Sequence, residues 1–92
     1  MVQVIILKTD EVLISEIEEV ESELGEPDCR LINPVKILCR QDAPDVPPEG
    51  RFEKWLSEFT SQTQTMLHSD SIMTLVEPHK ALIDAYQKFL NK

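Results

Sequence analysis

Apolar and polar residues alternate along this chain in short blocks, and the blocks predict strands over most of its length. Val2 to Leu7 is apolar and β-branched on both faces, as in a strand covered on both sides. Lys8-Thr9-Asp10-Glu11 interrupts it, and Asp10 tolerates the left-handed backbone of a tight hairpin. Cys29 to Arg40 alternates apolar Cys29, Leu31, Val35, Ile37 and Cys39 with charged Arg30, Lys36 and Arg40. Asn33-Pro34 falls inside this run, where proline implies an edge position or a bulge. Thr65-Met66-Leu67 and Ile72-Met73-Thr74-Leu75-Val76 are two further apolar runs, separated by His68-Ser69-Asp70-Ser71. That is the pattern of two strands joined by a short polar turn.

Three segments are helical in spacing. From Pro78 onward, Leu82, Ile83, Tyr86, Phe89 and Leu90 form one stripe, with Lys80, Asp84, Gln87 and Lys88 opposite. Pro78 suits a first turn, and Lys88 and Lys92 complement the dipole at the other end, so a helix is expected over 78–91. Phe52, Trp55, Leu56 and Phe59 share the spacing over a stretch too short to separate helix from strand. Packing in a core or interface is the expected use of these aromatics, ahead of a base-stacking platform. Leu13, Ile14, Ile17, Val20 and Leu24 also fit a helix, capped by Asp10 and ended by Gly25 and Pro27. Against it, Glu16, Glu19 and Glu23 repel one another at helical spacing, each pair costing about a few tenths of a kcal/mol.

Composition narrows the class. Ninety-two residues make one domain, with 41% hydrophobic and 28% charged residues, near the size at which self-association often adds burial. No run approaches the ~18 apolar residues of a membrane span, and Met1 to Leu7 lacks the basic flank and cleavage site of a signal peptide. Cys29 and Cys39 are too few and wrongly spaced for a disulfide scaffold or a metal pair, so free thiols in the cytoplasm are expected. The net charge is −8, and nine acids with no Lys or Arg fall between Asp10 and Asp28. Such a face repels phosphate backbones, so any nucleic-acid site has to be local and small. The proline-rich 41–50 is a loop. No Ser-His-Asp set, zinc-spaced ligand group or glycine-rich phosphate loop stands in the sequence. Neither an enzyme nor a metal or cofactor site is therefore expected.

Two blocks resemble the Sm-like (LSm) family. The first is Ile6-Leu7-Lys8-Thr9-Asp10-Glu11-Val12-Leu13-Ile14-Ser15-Glu16-Ile17-Glu18-Glu19-Val20, followed by Leu31-Ile32-Asn33-Pro34-Val35. Sm proteins have there a hydrophobic strand, a tight turn and a long curved strand, with glycine at the position of Ser15. The second is Thr65 to Pro78, which resembles the family's strand, Arg-Gly-Asp/Asn turn, strand and closing proline. The Glu-Glu-Val, Asn-Pro and Glu-Pro features, with the helix, are similar to Sm-like proteins of tailed phages. The resemblance makes Val12 to Val20 a strand. It implies a single domain 1–92: a strongly bent five-stranded antiparallel barrel over 2–77 and a C-terminal α-helix.

The family pairs the fourth strand of one subunit with the fifth of the next. That implies a homo-oligomeric ring of five to seven copies, with Thr65, Met66, Leu67, Ile72, Met73, Thr74, Leu75 and Val76 at the boundary. Relatives bind short single-stranded RNA there, which makes His68, Ser69, Asp70 and Ser71 the candidate RNA site. Histidine replaces the family's arginine, and Glu21-Ser22-Glu23-Leu24-Gly25 stands where the first motif has aspartate, a hydrophobe and asparagine. The expected function is therefore a ring that binds RNA in the cytoplasm, of a bacterial host if phage-encoded. The alternative is an acidic ring that has lost RNA and docks an unknown protein.

Overall fold

A computed structural model of the chain describes residues 1–38 and 45–91. The end of the third expected strand (Cys39, Arg40), the start of the proline loop (41–44) and Lys92 lie outside the described residues. Among the described residues six strands form, where five are expected from the resemblance: β1 (Val2–Leu7), β2 (Val12–Glu19), β3 (Cys29–Ile37), β4 (Phe52–Lys54), β5 (Gln64–Leu67) and β6 (Ile72–Val76). A single helix, α1 (Lys80–Leu90), follows. All pairings are antiparallel, in the order β4-β3-β2-β1-β6, with β5 also on β3.

The β1–β2 hairpin turns at Asp10, whose φ of 72° is the left-handed conformation its short side chain permits. The Asp10 amide donates to the Leu7 carbonyl, and the Leu7 amide to that of Glu11, both at 2.9 Å. Val12–Glu19 is a strand, so the helical period of its apolar residues does not decide its structure. Leu13 and Ile14, adjacent and both fully buried, serve opposite faces of the sheet.

The bend lies where β2 crosses β3. Ile14 pairs with Val35 and Glu16 with Ile32, so Ser15 alone opposes Asn33 and Pro34. This is a β-bulge, with two residues of one strand against one of the other. Asn33 supplies the left-handed backbone (φ 54°), and Pro34 has no amide to leave unpaired. The extra residue reverses the alternation of β3, so Leu31 and Val35, four apart, face opposite sides.

Beyond the bulge β3 also changes partner. Cys29–Ile32 pairs with β5, and Val35–Ile37 with β4. The ladder is broken at the change, and two side chains complete it. The fully buried Ser15 hydroxyl lies 3.0 Å from the Ile32 carbonyl and 2.8 Å from that of Glu16. The Tyr86 hydroxyl, brought by α1, donates to the Asn33 carbonyl at 2.8 Å and lies 3.3 Å from that of Ile32.

Two cores result. On one face Ile5, Leu7, Leu13 and Leu31 are buried, with Ile17, Trp55, Leu67 and Ile72 packed against them. On the other, Ile14, Val35 and Tyr86 are buried beneath Leu82, Phe89 and Leu90 of the helix, and Phe52 meets Phe89 edge to face at 5.7 Å. The helical stripe is therefore covered by the sheet of its own chain. The helix begins at Lys80, two residues later than expected, with His79 at its N-cap and Pro78 outside it.

One question left open by the sequence is decided, and two other expectations need correction. The aromatic segment 52–59 is a three-residue strand followed by turns through Leu56 (φ 61°), and Phe59 is exposed. Its spacing is helical, but three residues of β3 take its backbone first. The sheet is also not closed into a barrel. Among the described residues β5 pairs only with β3 and β6 only with β1, so both keep a free edge. The extra strand arises at the bulge, because the second half of β3 takes β4 as partner in place of a longer β5.

Candidate functional site

The β5–β6 connection is a single 3-10 turn, Ser69–Ser71, with His68 at its start. The Ser71 amide donates to the His68 carbonyl at 3.0 Å, closing the turn. The Lys8 amide donates to the Ser71 carbonyl at 2.8 Å and ties it to the β1–β2 hairpin. On the other side the turn is held by Asp28, the last residue before β3. Asp28 Oδ1 accepts from the Ser69 amide and Oδ2 from the Ser69 hydroxyl, each at 2.7 Å. These are charge-assisted bonds, short and directional. They hold the Asp28 carboxyl below its ordinary value, the Ser69 side chain first, the Ser69 amide next and His68 to a lesser degree.

The clamp brings the β2–β3 loop, residues 20–28, against the β5–β6 turn. His68 is half-buried, while Ser69 and Asp70 are exposed. His68 and Ser71 join Leu7, Lys8, Trp55 and Leu67 around an open hollow of about 600 Å³. The Trp55 indole is fixed by its Nε1 donating to Glu11 Oε2 at 3.1 Å. A planar group entering the hollow, whose lining also includes Thr9, Glu11 and Asp70, meets His68, Trp55 and Lys8. Those are partners for a base or an aromatic ring. The end of β2 and the adjoining loop make a wall of acids: Glu18 and Glu19 on the strand and Glu21, Glu23 and Glu26 in the loop are all exposed, and Arg30 is ion-paired with Glu18 at 2.9 Å. An exposed pair of this kind is worth about 0–1 kcal/mol, so it does little beyond offsetting one of these charges.

Asp28 was not among the residues expected at this site. Glu21-Ser22-Glu23-Leu24-Gly25 was the expected counterpart of the first family motif, but that stretch turns on itself. The Glu26 amide donates to the Glu23 carbonyl at 3.0 Å, Gly25 is left-handed (φ 89°), and Leu24 is fully exposed. The signal for Asp28 was its position, a short carboxylate immediately before a strand. Cys29, next to it, is buried, and burial first, then Asp28 and Glu19, pushes its thiol up, as for an unreactive cysteine.

The residues expected at a subunit boundary lie on the two strands with free edges. Thr65, Met66 and Leu67 are on β5, and Ile72, Met73, Thr74, Leu75 and Val76 make up β6. Met66, Met73, Leu75 and Val76 are 44–58% exposed, which concentrates exposed apolar surface on these strands. A shift of register between β1 and β6 leaves Met73 without a partner residue on β1.

An open antiparallel sheet, a helix sealing one face and two loops clamped together at one end define a small β-sheet protein with a loop-built site. The chain belongs to a family of unknown function, DUF6561, whose model matches residues 1–91. No curated protein matches it. Among the described residues no helix is long and apolar enough to cross a membrane.

Proposed function

We propose that the chain is a ring-forming, Sm-like subunit that binds short single-stranded RNA at its β5–β6 turns. The observation that carries the ring is the pair of unmated edges. β5 and β6 border the turn, expose Met66, Met73, Leu75 and Val76, and have no partner strand on their outer sides among the described residues. Such edges invite pairing with another chain. Head-to-tail pairing of β5 with the β6 of the next copy is heterologous and closes into a ring when the rotation per subunit permits. With β4 set aside as an extra short strand, β5 and β6 correspond to the fourth and fifth strands through which Sm-like proteins assemble.

RNA binding is supported by the loop clamp. Asp28 and Ser69 join the two loops that form the base pocket in RNA-binding relatives, and His68 stands beside them over the hollow. A second reading is an acidic ring that docks a protein, and the exposed glutamates of residues 18–26 favour it. One pair of experiments separates these. Light scattering is expected to give a molar mass several times 10.6 kDa, in the range of five to seven copies. A monomer at micromolar concentration refutes the ring. Fluorescent oligo-U and oligo-A are then titrated at low salt, with binding expected and lost in His68→Ala. No binding by an intact ring refutes the RNA reading and leaves the docking ring.

A further inference from the structure

Arg51 is a nearly buried cation that forms no ion pair among the described residues. Its backbone is fixed, the amide donating to the Pro48 carbonyl at 3.1 Å and the carbonyl accepting from the Leu38 amide at 2.8 Å. The residue is only 9% exposed, and its Nε is buried without a hydrogen-bond partner among the described residues. Neither ion pair found among the described residues involves it. Arginine does not escape burial by losing its proton, so the charge stays and calls for an anion. Arg51 lines an open cavity of about 640 Å³ between the β1–β2 hairpin, the end of β3 and the start of α1. That volume lies within the range of small-molecule sites.

We propose that this cavity binds a singly charged carboxylate that carries an apolar body. The planar, forked guanidinium matches a carboxylate in two parallel bonds. Val12, Ile37, Leu38 and Leu82 supply apolar walls for the rest of the ligand. Asp10 and Glu11 also line the cavity, and their charge weighs against a doubly charged phosphate. Glu11 does not serve as the missing anion, because one of its oxygens already accepts from Trp55 and lies 3.7 Å from Lys36. The site is separate from the turn at His68 and does not depend on ring formation or RNA.

The ligand is either a free organic acid or the carboxyl end of a peptide. The two probes are hexanoate and acetyl-glycyl-leucine, with the leucine amide and inorganic phosphate as controls. Binding is followed on the full chain through the methyl resonances of Leu82 and Val12. At least one carboxylate is expected to give saturable shifts, with the amide and phosphate giving none. Affinity is expected to fall roughly tenfold or more in Arg51→Met, the scale of losing a forked, charge-assisted contact. If that variant does not fold, Arg51→Lys, which keeps the charge and loses the fork, is expected to weaken binding. On the unaltered protein, affinity should also decline as pH falls through the probe's own titration. Absence of saturable shifts with both carboxylates, equal binding of phosphate or amide, or unchanged affinity in the folded Arg51 variants overturns the proposal.

Discussion

Replacing Tyr86 by phenylalanine tests how the bend in the sheet is held. The ring is 2% exposed, and its hydroxyl donates to the Asn33 carbonyl at 2.8 Å, at the break in the β3 ladder. Phenylalanine keeps the ring and its contacts with Ile14 and Val35 but leaves that part-buried carbonyl without its donor. Removing one partner from a buried hydrogen bond costs about 1–3 kcal/mol, because the group left behind stays desolvated. For a domain of this size each kcal/mol corresponds to roughly 4–8 °C, so Tm should fall by about 6–12 °C if the loss is about 1.5 kcal/mol. Tyr86→Ala also opens a cavity and should cost about 3–5 kcal/mol. Both are read by urea and thermal denaturation at fixed protein concentration, since the proposed self-association would make Tm concentration-dependent.

The same hydroxyl predicts a pH effect. Burial pushes the Tyr86 phenol up to about 12. The fold thus favours its neutral form, and this contribution is complete below the unfolded value near 10 and is lost as pH rises through about 12. The stability difference between the unaltered protein and Tyr86→Phe should therefore shrink across that window. A phenylalanine variant within about 0.3 kcal/mol of the unaltered protein would refute the reasoning, since the Asn33 carbonyl would then have lost nothing.

Further outcomes concern the bulge, the clamp and the edges. Asn33→Ala should cost about 1–2 kcal/mol, because alanine resists the left-handed backbone that asparagine tolerates, whereas Asn33→Gly should be near neutral; urea midpoints compare them. The Ser69 amide shift should report Asp28 titrating below 3.8. The clamp is intact above that range and released as pH falls through the lowered value, and Ser69→Ala should move the titration back up. Double substitution Met66→Glu and Met73→Glu should shift the proposed ring toward monomer in light scattering while leaving the circular dichroism of the sheet in place.

Much of the fold is legible in local chemistry. Asp10 marks the hairpin, Asn33-Pro34 marks the bulge, and the apolar stripe through Tyr86 marks the helix, because each feature depends on a few neighbouring residues. For β2 the period of the apolar positions favoured a helix. The strand wins because Leu13 and Ile14 each have a core to enter, one on either face, which a one-sided helix could not offer. Phe52 to Phe59 was undecidable for the opposite reason. Its backbone is claimed by β3 over three residues only, a pairing that nothing within the segment announces. Asp28 and Arg51 were invisible as candidate residues because their interest arises from a partner 41 residues away in one case and, in the other, from a buried Nε without a partner among the described residues.

The bond between Tyr86 and Asn33 spans 53 positions of sequence. A ribosome that has released all six strands has still not delivered the hydroxyl that finishes the bulge. Until the helix emerges, the nascent sheet is free to flatten, and its two unmated borders are offered to neighbours before their final curvature is set. The borders through which we propose that copies pair are thus on offer before the residue that completes the bend of the monomer has been made.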